Sequence, residues 1–200
     1  MGKIQQSQFD EMKRQFGDYG SWAIWSPQSE GGKVRSGISD ISMFEDAKIL
    51  DQLQNDFVIV ALNLSLPCDE GRPFGNFHSS NPRNTDYRMR YAFKDTPLWG
   101  SYMTDILKGV CEVDSQKIAK NMNQYIDDIG FHAKHFVEEI EILKAHHATI
   151  VTLGDLSDNL TKFIIDKCNM TNKVIKIYHY AYVISLKKYR NHLIERISNF

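Results

Sequence analysis

Two polar residues stand where apolar runs stop. Phe57-Val58-Ile59-Val60-Ala61-Leu62 ends at Asn63, and the run over residues 173–178 ends at His179. Short runs rich in Val and Ile read as strands buried on both faces of a parallel sheet. Open parallel sheets bind ligands beyond the carboxyl ends of their strands, so Asn63 and His179 are the first candidates for chemistry. An amide is too weak a base to abstract a proton; Asn63 would act by positioning a reactant, or would simply start a turn. His179 is open to a ligand role and equally to that of a satisfied histidine at a strand end. A third candidate group lies between them: Phe74-Gly75-Asn76-Phe77-His78, within a stretch over 68–85 rich in Gly, Pro, Asn and Ser. Long loops of this kind are often functional.

The elements that must position these residues follow from periodicity. Ile4, Phe9, Met12 and Phe16 mark a helix over 4–16, and Trp22 to Trp25 a short strand stopped by Pro27. A helix over 45–53 leads into the strand that ends at Asn63. Beyond the loop come a helix over 86–93 and a strand over 99–107. Two helical patterns, 114–129 and 131–146, are separated by Gly130. A strand over 148–153, a helix over 155–168, the strand before His179 and a helix over 185–197 close the chain. This alternation predicts a three-layer α/β/α fold with a mostly parallel central sheet. One domain over 1–200 is expected, residues 1–54 packing on a core formed by 55–200.

The totals exclude more than they assign. The chain of 200 residues has a formal net charge of −1 and a pI near 6.6, without the global basic footprint of a dedicated nucleic-acid binder. Charge is uneven, however. From residue 173 onward Lys173, Lys176, Lys187, Lys188, Arg190 and Arg196 face the single acid Glu195. That tail reads as a local phosphate-binding surface or as a solvated helix face. No apolar stretch approaches the roughly 20 residues that span a bilayer and the N-terminus is polar, so no membrane association is expected and a cytoplasmic location is. Cys68, Cys111 and Cys168 lack metal or disulfide spacing. His132, His135, His146 and His147 lack matching ligands, so no metal is expected.

Four segments in this order resemble the uracil-DNA glycosylase superfamily. Ala61-Leu62-Asn63-Leu64-Ser65 resembles the first motif, which in the mismatch-specific and single-strand-selective branches reads Gly-hydrophobic-Asn-Pro-Gly. Asn76-Phe77-His78 lies where those enzymes carry an aromatic that stacks on the extruded base. Tyr102-Met103-Thr104-Asp105-Ile106-Leu107-Lys108 resembles the middle strand, and His179-Tyr180-Ala181 the His-Pro-Ser motif. The resemblance covers roughly residues 55–197. It departs from the pattern where Leu64 and Ser65 replace Pro-Gly and where Tyr180 and Ala181 replace Pro-Ser.

The resemblance implies hydrolysis of the N-glycosidic bond of uracil or another deaminated or damaged base in DNA, single- or double-stranded, with no cofactor. Asn63 would orient water, His179 would hydrogen-bond the departing base anion, and Phe77 would stack on the base. Asn76, His78, Leu64, Ser65 and Tyr180 would line the base site. Lys187, Lys188 and Arg190 are the candidates for the DNA backbone. Two other classes stay open: a non-catalytic member of the fold that binds nucleic acid, nucleotide or protein, and a hydrolase of free nucleosides. Oligomeric state is not specified by the sequence.

Overall fold

Five strands, β1 (Gly20–Trp22), β2 (Gln54–Leu64), β3 (Ser101–Cys111), β4 (Thr149–Leu153) and β5 (Val174–Ile177), form one sheet in the order β1-β3-β2-β4-β5. The structure is a computed structural model and describes residues 2–28, 30–64, 72–81 and 84–198. β2 to β5 are mutually parallel, and β1 is antiparallel at one edge. The register brings the carboxyl ends level: Ala61 lies opposite Asp105, Val60 opposite Thr152, and Leu153 opposite Ile177.

Side-chain alternation along the strands divides the interior in two. Val58, Val60 and Leu62 of β2 pack with α1 (Gln6–Phe16), α5 (Ile129–Leu143) and α6 (Asp155–Lys167) on one face. Ile59 and Ala61 pack on the other face with α2 (Tyr87–Phe93) and α7 (Leu186–Ser198). The fold is therefore α/β, with helices on both faces of a mixed, mostly parallel sheet. No helix among the described residues is long and apolar enough to cross a membrane.

Two helical expectations are corrected. Residues 42–52 form two short 3-10 turns rather than a helix over 45–53: Asp46 stands between them in an extended conformation, and its carboxylate accepts from Lys48 N–H, restarting the chain. The pattern over 114–129 divides into α3 (Ser115–Lys120) and α4 (Met122–Asp127) at Asn121, whose N–H closes α3 on Ile118 and Lys117 carbonyls. Gly130 is no breaker, since it lies inside the first turn of α5.

β3 carries charge through the core. Tyr102 Oη and Thr104 Oγ1 donate to Glu139 Oε1 at 2.9 and 2.7 Å, and Lys108 Nζ donates to Glu139 Oε2 at 2.6 Å and to Thr104 Oγ1 at 2.5 Å. Both charged side chains are fully buried. Such a pair is costly to break from one side, because the survivor remains desolvated. Lys108→Met is expected to cost about 3–5 kcal/mol in urea unfolding, and the double variant Lys108→Met/Glu139→Leu to recover more than half of that. Additive losses in the double variant would contradict the coupling.

Candidate functional site

The chain leaves β2 toward β3 on one side, by way of α2, and returns on the other side to build β4 and β5. The carboxyl ends of β2 and β4 thus flank the point where strand order reverses, the place where open α/β sheets bind ligands. Asn63 stands at the β2 end. The β2–β3 ladder steps from Asn63–Leu107 to Leu64–Cys111, so residues 108–110 bulge out. The Asn63 amide spans that bulge: Nδ2 donates to Glu112 O and Leu64 O, both at 2.7 Å, and to Val110 O at 3.4 Å. Its nitrogen is thereby committed, leaving Oδ1 as its remaining polar atom. Leu64 is buried instead. Ser65 lies outside the described residues.

Gly154 marks the β4 end. Its φ of +87° is a conformation that favours glycine, and a Cβ there would lie 3.4 Å from that of His179, so the two residues approach closely. His179 is half-buried. Its Nδ1 accepts from Ala181 N–H at 3.1 Å, and a backbone N–H can only donate, so the ring proton resides on Nε2. Burial pushes its pKa down to about 4, which keeps the ring neutral at pH 7. Tyr180 stacks on it with ring centroids 4.2 Å apart.

Across the sheet, the loop over 74–78 is tied down by one amide. Asn76 Nδ2 donates to Tyr19 O and to Asp105 Oδ2, each at 2.8 Å, while Asn76 Oδ1 accepts from Phe77 N–H at 3.0 Å. Every polar group of Asn76 is thus occupied, and it serves to position Asp105 and Phe77. Phe77 is buried with φ +64°, its carbonyl accepting from Trp25 Nε1–H at 3.1 Å. His78 is a core histidine, packed against Trp25 and Phe44 with its ring nitrogens 3.3 and 3.4 Å from Ile38 O and Trp22 O. Burial pushes its pKa to about 4.

Two acids complete the site, and sequence reasoning gave both too little weight. Asp105 is buried; Oδ2 is held by Asn76, but Oδ1 takes no hydrogen bond among the described residues. Burial raises its pKa to about 7, against the opposing pull of Asn76 and Lys108. The signal was an acid within the otherwise apolar run of a central strand, a placement that carries a high desolvation cost. Asp86 stands immediately before α2, where an aspartate commonly caps a helix. It makes no cap bond, and instead accepts from Ser79 N–H at 2.9 Å. Burial raises its pKa to about 6. It also lines a cleft of about 220 Å³ with Lys33, Arg35, Ser80 and Asn84. Burial, Asp86 and Asp105 together drive the pKa of the Tyr180 hydroxyl well above its ordinary value, joining the acids to the His179 loop in one electrostatic unit.

Of the three basic candidates, Lys187 and Lys188 are exposed and make no ion pair among the described residues. Arg190 is engaged through one nitrogen: its Nη1 donates to the carbonyls of Tyr91, Ala92 and Lys94 at the end of α2. Of the histidines outside the site, His132 Nδ1 accepts from Lys108 N–H, His135 Nδ1 lies 2.8 Å from Phe131 O, and His146 Nε2 lies 3.3 Å from Glu141 Oε2. No group of three or more His, Cys, Asp or Glu among the described residues is arranged to hold a metal ion.

A carboxyl that titrates near 7 when folded and near 3.8 when unfolded binds its proton more tightly in the fold. The stability it lends is whole below pH 4 and lost as pH rises through 7. Asp105→Asn removes this penalty and keeps an acceptor for Asn76. It is expected to exceed the native protein in stability by about 2–4 kcal/mol at pH 8, with the gap closing toward pH 4. Urea unfolding across that range checks it; parallel pH profiles would refute the assignment.

No family model matches the chain, and comparisons with curated proteins and with solved structures returned no match. The functional reading therefore rests on the geometry of the switch point.

Proposed function

We propose that the protein is a monofunctional glycosylase that hydrolyses the N-glycosidic bond of a deaminated base, uracil or a relative of it, in DNA. The observation that carries this reading is the buried Asp105 Oδ1, a carboxylate oxygen without a donor among the described residues, in the middle of β3 opposite Ala61 of β2. A buried acceptor left open costs free energy that a ligand N–H would restore. Deamination replaces the ring-nitrogen lone pair of cytosine or adenine with an N–H. Ionised Asp105 accepts from that N–H and repels the lone pair of the parent base, so one oxygen provides the selection.

The remaining groups have roles that fit the bond broken. Cleavage passes through an oxocarbenium-like sugar and releases a base anion. His179, neutral and bearing its proton on Nε2, hydrogen-bonds that anion without first having to lose a charge. Asn63 Oδ1 orients the attacking water, a positioning role suited to an amide. Phe77 and Tyr180 wall the base site. The base must first leave its stack, at a cost of a few kcal/mol when paired. Val183, 95% exposed on the loop after His179, is an apolar wedge of the kind that enters opened base steps.

A second reading, hydrolysis of free nucleosides, is favoured by the net charge of −1 and by the engagement of Arg190 in carbonyl contacts. The two part on salt: a DNA enzyme using Lys187 and Lys188 shows a log–log salt slope of about −1 to −2 in binding, and a nucleoside enzyme none.

Base release from single- and double-stranded oligonucleotides carrying uracil, hypoxanthine or xanthine tests the proposal. Release is expected to fall at least about 100-fold in Asn63→Ala and in His179→Ala. With the native chain kcat/KM is expected to drop roughly tenfold per pH unit below 7, as Asp105 takes up its proton, and this limb should vanish in Asp105→Asn. No release from any oligonucleotide by folded protein overturns the glycosylase reading. Release untouched by the variants overturns the site.

A further inference from the structure

We propose that the outer face of the Tyr182 ring is a stacking platform for an unpaired nucleobase flanking the excised nucleotide; this contact rests on the base-excision reading above. Three rings on the β5–α7 connection and on α7 form a ladder. Tyr178 lies in the middle, 3.8 Å from His192 at an interplanar angle of 14° and 4.7 Å from Tyr182 at 19°. Centroids this close put the two partners on opposite faces of Tyr178. Tyr182 therefore ends the ladder, with one face covered and 53% of the residue exposed.

The ladder is rigid where it must be. Tyr182 N–H donates to His179 O at 2.8 Å, and Ile184 N–H to Tyr182 O at 2.9 Å. From α2, Arg88 Nη2 donates to Tyr182 O at 3.0 Å and to Ile184 O at 2.7 Å. The same short loop thus fixes the ring and the imidazole, so an occupant of Tyr182 is held at a set position relative to the reacting nucleotide. Preorganisation of this kind lowers the ordering cost of binding.

The surroundings specify the occupant. A single flat ring at the end of a parallel stack offers a π-face to another planar group and lacks the concave wall that an apolar peptide side chain would need. Exposed Lys187 and Lys188 follow within six residues, with no acid on α7 before Glu195, so the planar group is expected to carry negative charge nearby. A nucleobase on its phosphodiester backbone meets both demands. Stacking is tolerant of base identity, so the platform adds affinity for a strand without reading its sequence.

The test uses single-stranded oligonucleotides with 2-aminopurine on either side of an uncleavable abasic analogue, titrated with the full chain. Native protein and Tyr182→Phe are expected to quench the 2-aminopurine on one side only. Tyr182→Ala is expected to lose that quench and to bind about tenfold more weakly. Equal binding and quench in Tyr182→Ala overturn the platform, as does an equal loss in Tyr182→Phe, which would assign the effect to the hydroxyl. No binding by native protein at low salt overturns it as well. Native protein that binds and quenches yet releases no base from uracil, hypoxanthine or xanthine oligonucleotides leaves the platform standing and removes the glycosylase reading. Base release unaffected by Tyr182→Ala, with the quench unchanged, does the reverse.

Discussion

The side-chain amide of Asn76 is the joint on which the candidate site depends. It holds Tyr19, at the entry to β1, to Asp105, in the middle of β3, and it accepts from the N–H of Phe77. Phe77 and Phe74 both have positive φ, a conformation that costs a non-glycine residue about 1–2 kcal/mol. Such strain persists only where surrounding contacts over-determine the backbone. Here they do: Phe74 N–H donates to Gly17 O, Ser21 Oγ and Trp25 Nε1 hold the carbonyls of Phe74 and Phe77, and Asn76 closes the bracket. The bond to Asp105 is also charge-assisted when the acid is ionised, and such bonds are worth about 1.5–3 kcal/mol. Losing the amide would release the loop and strip the buried acid of the donor it has.

β3 presents charge to both faces of the sheet, and the contrast between the faces is informative. Toward α5, Glu139 has donors for both oxygens, from Tyr102, Thr104 and Lys108. Toward α2 and α7, Asp105 has a donor for one oxygen alone. Both acids are fully desolvated, so the difference is not one of exposure. The Glu139 network is closed and can only hold the fold together; its cost is offset internally. The Asp105 pair is open, and burial raises the pKa of the acid to about 7 against the pull of Asn76 and Lys108. Among the described residues Asp105 Oδ1 is the carboxylate in a set of buried side-chain atoms without a hydrogen-bond partner, the others being Trp22 Nε1, Arg88 Nε, Thr161 Oγ1, Tyr189 Oη and His192 Nε2. An open buried acceptor on a perturbed acid is a candidate position for a ligand donor.

β2, β4 and β5 were legible because they are runs rich in Val, Ile and Leu that end sharply near Asn63, Gly154 and His179, whereas the edge strand expected over 22–25 falls at Gly20–Trp22. The failures have physical causes. Gly130 reads as a helix break, but in a first turn no side chain is needed to pack, and a Cβ there would meet nothing. The breaks fall instead at Asn121 and Asp128, polar residues that sit at the helix ends. Asn76 reads as a base-contacting amide because the residue that occupies it, Asp105, lies 29 positions away, a distance that no local pattern spans. His78 reads as a ligand for the same reason, since the carbonyls it faces belong to Ile38 and Trp22. Asp86 follows cap chemistry in sequence, yet the N–H of Ser79, brought back by the loop, takes its carboxylate. What local chemistry fixes was readable; what long-range pairing consumes was not.

That consumption also bears on how a polyanion would be held. Three arginines near the site donate to backbone carbonyls. Arg88 serves Tyr182 and Ile184, Arg90 serves Ser26, Val34 and Ser36, and Arg190 serves the end of α2. A guanidinium that collects carbonyls staples loops together, and its planar fork is then unavailable for a phosphate. The basic count of the C-terminal third therefore overstates its electrostatic reach. If the chain engages DNA, little of the affinity can come from counterion release, and most must come from groups that tolerate salt: the ring at Tyr182, the apolar tip at Val183 and the open acceptor at Asp105. All three sit on, or face, the loop that Arg88 fixes to α2. In this fold Arg88 holds in place the loop that carries those rings, by donating to the carbonyls of Tyr182 and Ile184.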